Sequence, residues 1–201
     1  MSEEWAERER RTNRLVRAVA AYVLDDISVS PGQLYGLCKL TWITKSFDER
    51  DAAYIKSTKI PALGNIFNED YADASLEMVA ADLFKTLGNE SIRELVLGNT
   101  GFTNFYGAYR NSARTWIENH FSSLLSPFQR AFRLETDDDG LNLIWSISKL
   151  PRVPNAAADV RLKAPEHLLT PVFFAVDSRL RFPLINGNKG VQSRMALPHV
   201  R

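Results

Sequence analysis

The side chains of this 201-residue chain that are suited to chemistry are few and widely spaced. Asp177 stands alone at the end of the apolar run Pro171-Val172-Phe173-Phe174-Ala175-Val176. An aspartate in that place reads first as an N-cap for a helix starting at Ser178. Arg179 and Arg181 follow it and are candidate phosphate contacts. His120, His167 and His199 are scattered, with no carboxylates at ligand spacing, so no metal is expected. Cys38 is the single cysteine, which excludes an internal disulfide and any multi-cysteine metal or iron–sulfur centre, and fits a reducing compartment. The loop Asn186-Gly187-Asn188-Lys189-Gly190 has glycines that let backbone approach phosphate, but it lacks the Gly-Lys-Ser/Thr ending of a P-loop and reads as a turn. Neither Gly-x-Ser-x-Gly nor a Ser-His-Asp arrangement is present.

The elements that must position these residues are helical. Apolar residues recur at i, i+3/i+4 over residues 3–26, beside the charged run Glu7-Arg8-Glu9-Arg10-Arg11, which reads as a solvated face. Ser28-Val29-Ser30-Pro31-Gly32 breaks this pattern and a second helix is expected over 33–45, after which Pro61 and Gly64 mark a loop. Residues 73–87 and 90–97 form two more helices, stopped by Gly88 and Gly98. A long helix is expected over 105–125. Residues 132–147 allow a small β-hairpin around Asp139-Gly140 or a helix resuming near Leu141, the second being preferred. Short helices follow over 156–169 and from Ser178 onward, among prolines. The fold class is all-α, with that hairpin as the one exception.

Composition supports a compact chain: 45% hydrophobic residues suffice for a core at this length. No apolar run is long enough for a membrane helix and no secretory leader is visible, so a cytoplasmic protein with no membrane association is expected. The net charge of +1 hides an asymmetry. Residues 1–99 hold 12 Lys/Arg against 16 Asp/Glu, net −4, whereas residues 100–201 hold 13 against 8, net +5. A polyanion would meet the second half first.

That second half carries a resemblance. Leu150-Pro151-Arg152-Val153-Pro154 with Ala158 and Val160, followed by the apolar run that ends in Val176-Asp177-Ser178-Arg179-Leu180-Arg181, resembles the helix-hairpin-helix DNA glycosylase superfamily, the endonuclease III-like fold. Its hairpin reads Leu-Pro-Gly-Val-Gly-x-Lys-Thr-Ala-x-x-Val, and a Val-Asp-x-x-Val-x-Arg segment follows. Gly101-Phe102-Thr103-Asn104 with Ala108 is similar to the Gly-Leu-x-Asn-x-Lys-Ala segment that precedes the hairpin, and residues 73–98 match the two helices before it. The resemblance spans about residues 73–182. It implies a two-lobed, cofactor-free domain: residues from about 70 to 160, with the hairpin at 147–160, form one lobe, and residues 1–60 with 165–201 form the other.

Several roles follow from the resemblance. Asp177 falls on the catalytic aspartate, whose carboxylate stabilises oxocarbenium character as an N-glycosidic bond breaks. Phe102 falls on the wedge that fills the space of an extruded base. Asn104, Arg152, Asn155, Arg179 and Arg181 would face DNA, and Tyr106, Trp116 and Trp145 are candidates for the base pocket. Arg152 and Pro154 replace the two hairpin glycines, so a side chain would have to supply the phosphate contact that backbone N–H groups make in the family. Ala156 replaces the Schiff-base lysine, so lyase chemistry is not expected. The resemblance thus implies a monofunctional glycosylase acting on a damaged or modified base in DNA. The alternative is a module that keeps the fold without catalysis and recognises modified or foreign DNA for a partner nuclease. More remotely, Arg114 and His120, with five residues between them, resemble the Arg-x(4–6)-His motif of HEPN-type ribonucleases.

Overall fold

The computed structural model describes residues 3–42, 55–98, 100, 113–154 and 162–185. Among them it forms nine α-helices and one π-helical turn. They contain no strand, only an isolated antiparallel pairing of Val153 with Lys163. The fold is all-α.

Helix α1 (Glu3–Leu24) owes its exposed first half to ion pairs within the helix: Arg8 bonds Glu4 at 2.7 Å, and Glu7 receives Arg14 at 2.8 Å and Arg10 at 3.1 Å. Its second half buries Leu15, Val16, Val19, Ala20 and Val23. Helix α2 (Pro31–Thr41) starts at a capping box, in which the Ser30 hydroxyl accepts the Gln33 N–H while the Gln33 side chain accepts the Ser30 N–H. Eight of its eleven residues are buried, so it is a central element. The π-helical turn Ile55–Lys59 leads directly into helix α3 (Ile60–Phe67).

Helix α3 replaces the loop expected at Pro61 and Gly64. Pro61 sits in its first turn, where a missing N–H costs nothing. Gly64 lies under the Glu69 carbonyl, so close that a Cβ would come within 2.7 Å of it. Gly36 of α2 makes the same allowance for α3, since a Cβ there would lie 2.7 Å from the Ala62 carbonyl oxygen.

Helix α4 (Leu76–Leu87), capped by the Ser75 hydroxyl and ended by Gly88 at φ 64°, and helix α5 (Ser91–Leu97) follow the sequence expectation closely. Lys59 is buried and its ammonium donates to the carbonyls of Val96 (2.9 Å) and Gly98 (3.3 Å), closing the C-terminus of α5. Helices α6 (Ala113–Asn119) and α7 (Phe121–Phe132) break at His120, where one continuous helix was expected to run to residue 125.

The hairpin option at 132–147 is settled in favour of helix α8 (Asp137–Ile147). Thr136 and Asp139 form a second capping box, each accepting the other's backbone N–H at 3.1 Å, so this acidic run opens a helix instead of turning a hairpin. Helix α9 (Pro165–Val176) begins later than the helix expected from residue 156, and residues 155–161 lie outside the described set. No helix starts at Ser178 through residue 185. Asp177 is the C-cap of α9, not an N-cap, and Leu180 adopts the left-handed region at φ 52°.

One buried cluster draws on every helix. Helix α1 packs against α2, α5, α7 and α9, and α2 packs most extensively on α3. Phe173 of α9 meets Phe128 of α7 and Phe182 edge-on, with ring centroids 5.2 and 5.4 Å apart. This packing fixes the end of α9, and with it Asp177, against α1.

Candidate nucleic-acid interface

Asp177 is 0% exposed. Its carboxylate accepts the backbone N–H groups of Arg179 (3.2 Å), Arg181 (2.6 Å) and Phe182 (3.1 Å), and the Arg181 guanidinium lies 3.6 Å away. Both oxygens are thereby committed to holding the chain reversal after α9. Helix α1 closes the same junction from the other side. Asn13 donates to the carbonyls of Ala175 (2.8 Å) and Asp177 (3.0 Å), and Arg17 donates to that of Val176. Burial lowers the pKa of Arg17, opposed by the field of the Asp177 carboxylate. The orphan carbonyls at the end of α9 are thus satisfied by side chains one helical turn apart on α1.

Two surface cavities lie among the described residues near helix ends, and Asp177 lines neither. One, of about 440 Å³, lies between α3 and the loop Glu69–Ala74; the other, of about 380 Å³, lies beside Gln129, Arg130, Arg133 and Asp139.

The remaining sequence candidates fall into three groups. Phe102, Asn104, Tyr106 and Asn155 lie outside the described residues. Arg181 and Trp116 are engaged in the fold. Arg181 donates to the carbonyls of Leu134 (3.1 Å) and Glu135 (3.2 Å), which ties the Asp177 turn to the start of α8. Trp116 is 4% exposed, with its indole N–H on the Pro151 carbonyl at 3.2 Å, so it is a core residue that holds the loop after α8. The third group is solvent-facing: Arg152 and Arg179 are exposed, and Trp145 is 69% exposed on the outer side of α8 and lines neither of those two cavities.

Around Arg152, Val153 and Lys163 exchange both backbone hydrogen bonds at 2.9 Å, which clasps the base of the loop between α8 and α9. Arg152 in this loop and Lys149 just before it are both exposed. Among the described residues, Lys149, Arg152, Lys163 and Arg179 have no ion pair, whereas Arg8, Arg10, Arg14, Arg114 and Arg133 all do. Of the described cations in the second half, the exposed Arg152 and Arg179 thus carry unneutralised charge on this loop and on the turn after α9.

The two residues of the ribonuclease-like pair each have partners within the fold. Arg114 is bonded to Glu118 at 3.0 Å and lies over the Tyr35 ring, while His120 sits edge-on to Trp116. Cys38 is buried and burial pushes its thiol pKa up, which leaves it inert. No group of three or more metal-ligating side chains occurs among the described residues, and no helix there is long and apolar enough to cross a membrane.

Sequence reasoning missed Glu9. It sits one helical turn before Asn13 on the inward stripe of α1, its Oε2 has no hydrogen-bond partner, and burial raises its pKa to about 7. The signal was available: Glu9, Asn13, Val16 and Ala20 share one face, but the surrounding charged run masked it. Compared with known protein families, curated proteins and solved structures, the chain matches none.

Proposed function

We propose that this chain is a nucleic-acid recognition module on a helix-hairpin-helix glycosylase-like scaffold that does not itself excise a base, and that it holds the DNA backbone through Arg152 and Arg179. The observation that carries this reading is the state of Asp177. A carboxylate that stabilises an oxocarbenium ion needs an oxygen free to face the sugar, and both oxygens of Asp177 are bonded inside the protein with no exposure. The exposed cations, in contrast, need no rearrangement to meet phosphate. Cleavage would belong to a partner.

The test is a single-turnover assay on duplexes carrying deaminated, alkylated, oxidised or hypermodified bases, with binding to the same duplexes measured across a salt series. The expected outcome is salt-dependent binding with no abasic product. Replacing Arg152 or Arg179 by alanine should each reduce the steepness of the log Kd against log salt line by about one. Abasic product from the wild-type protein would overturn the proposal, as would an absence of binding at low salt.

A further inference from the structure

The outer side of α8 carries a stripe that the nucleic-acid reading does not use. Asp138, Leu141, Trp145 and Lys149 follow one another at intervals of three, four and four residues, and all are exposed, Leu141 by 56% and Trp145 by 69%. Lys149 lies just past the helix, but Ser148 keeps helical backbone geometry, so the stripe continues through it. Two large apolar side chains thus stand together in solvent, with an acid at one end and a base about 16 Å away at the other.

Such a stripe is complementary to itself when reversed. A two-fold axis crossing α8 near residues 143 and 144 brings Asp138 of each copy opposite Lys149 of the other and places the two Leu141–Trp145 pairs face to face. Both ion pairs form at once, because the same operation generates each. The antiparallel arrangement also sets each acidic helix N-terminus beside the other helix's C-terminal end, which aligns the two helix dipoles favourably. A parallel arrangement would oppose acid to acid.

We infer that the exposed α8 stripe is the interface of a symmetric, antiparallel homodimer centred on Leu141 and Trp145 and specified by reciprocal Asp138–Lys149 pairs. Its apolar centre is small, so the dimer belongs to the weak, reversible class, with a micromolar dissociation constant. The inference does not depend on DNA binding, since Arg152 and Arg179 lie outside the stripe.

Sedimentation velocity of the full chain, from low to high micromolar concentration, tests it. The wild type should pass from monomer to dimer across that range. Asp138→Lys and Lys149→Asp should each weaken association by about tenfold, and the double variant should recover most of the loss, because it restores both pairs with the signs exchanged. Trp145→Ser should abolish the dimer without lowering the melting temperature, which separates an interface effect from misfolding. A wild type that stays monomeric would overturn the inference. So would single reversals without effect, a double variant that fails to recover, a dimer that survives Trp145→Ser, or a monomer whose Trp145 fluorescence responds to oligonucleotide alone.

Discussion

The junction where α1 meets the end of α9 and the outer side of α8 with its following loop treat polar groups in opposite ways. At the junction, the buried Asp177 and Asn13 bond the backbone around them, and the half-buried Arg17 and Arg181 add donors to neighbouring carbonyls. On the outer side, Lys149 and Arg152 carry their charge into solvent unpaired, on the helix end and following loop that also expose Leu141 and Trp145. Buried polar groups that are completely satisfied hold a fold together and have nothing left to offer a ligand; unsatisfied exposed ones add nothing to stability and are free to bind. The residue that looked most like chemistry belongs to the first class.

The comparison yields a graded set of outcomes. The largest concerns Asp177→Ala, which removes a buried carboxylate from three backbone N–H groups and the Arg181 guanidinium. It should cost about 3–5 kcal/mol in chemical denaturation, and Asp177→Asn less. A cost below about 1 kcal/mol would place Asp177 with the dispensable groups and break the contrast. Asn13→Ala removes the side-chain donor from the Ala175 carbonyl and leaves that of Asp177 only the Leu180 N–H, and should cost about 1–3 kcal/mol, with hydrogen exchange accelerating at residues 177–182 before it does elsewhere.

Glu9 sharpens the contrast because it is a half-buried carboxylate on the same face of α1 as Asn13 whose Oε2 has no hydrogen-bond partner. Its folded pKa of about 7 lies above the ordinary value of 4.5, so the folded state binds its proton more tightly than the unfolded state does. Stability from this group is therefore fully present below about 4.5 and is lost as pH rises through 7. Glu9→Gln should flatten that part of the stability profile and raise stability above pH 7 by roughly 1 kcal/mol, allowing for its partial solvation. Thermal melts at a series of pH values read this directly; a profile unchanged by the substitution would show that Glu9 is solvated like its neighbours. The smallest effects belong to Arg152→Ala and Arg179→Ala, which should shift stability by less than about 0.5 kcal/mol while weakening any polyanion binding.

Legibility in the sequence followed the reach of the interactions involved. The helices over 3–24, 76–87 and 91–97 were visible because their determinants are local, apolar periodicity and, for the latter two, a glycine stop, while the Ser75 cap that starts 76–87 was not read. Helix α3 was hidden because Pro61 and Gly64 carry a turn-like signature, and only the close passage of the chain at Glu69 and the position of Pro61 in the first turn show why both are tolerated in a helix. Helix α8 was preferred over the hairpin from the sequence, but its start at Asp137 instead of near Leu141 hinged on the Thr136–Asp139 cap, which the Asp-Gly pair obscured.

The sequence by itself determined the all-α class, the helix periods and glycine stops, and the shift of positive charge toward the second half, because each depends on residues within a few positions of one another or on simple counting. Tertiary structure alone decided that Asp177 caps the end of α9 instead of opening a helix, that Arg181 is consumed by the turn to α8 while Arg152 and Arg179 stay free, and that Trp116 is core while Trp145 is surface. Those outcomes rest on contacts across up to about 160 residues, such as Asn13 and Arg17 against the end of α9. A side chain's period within its own helix says which way it points, but whether it meets water, a carbonyl or another ring depends on what the rest of the chain places there.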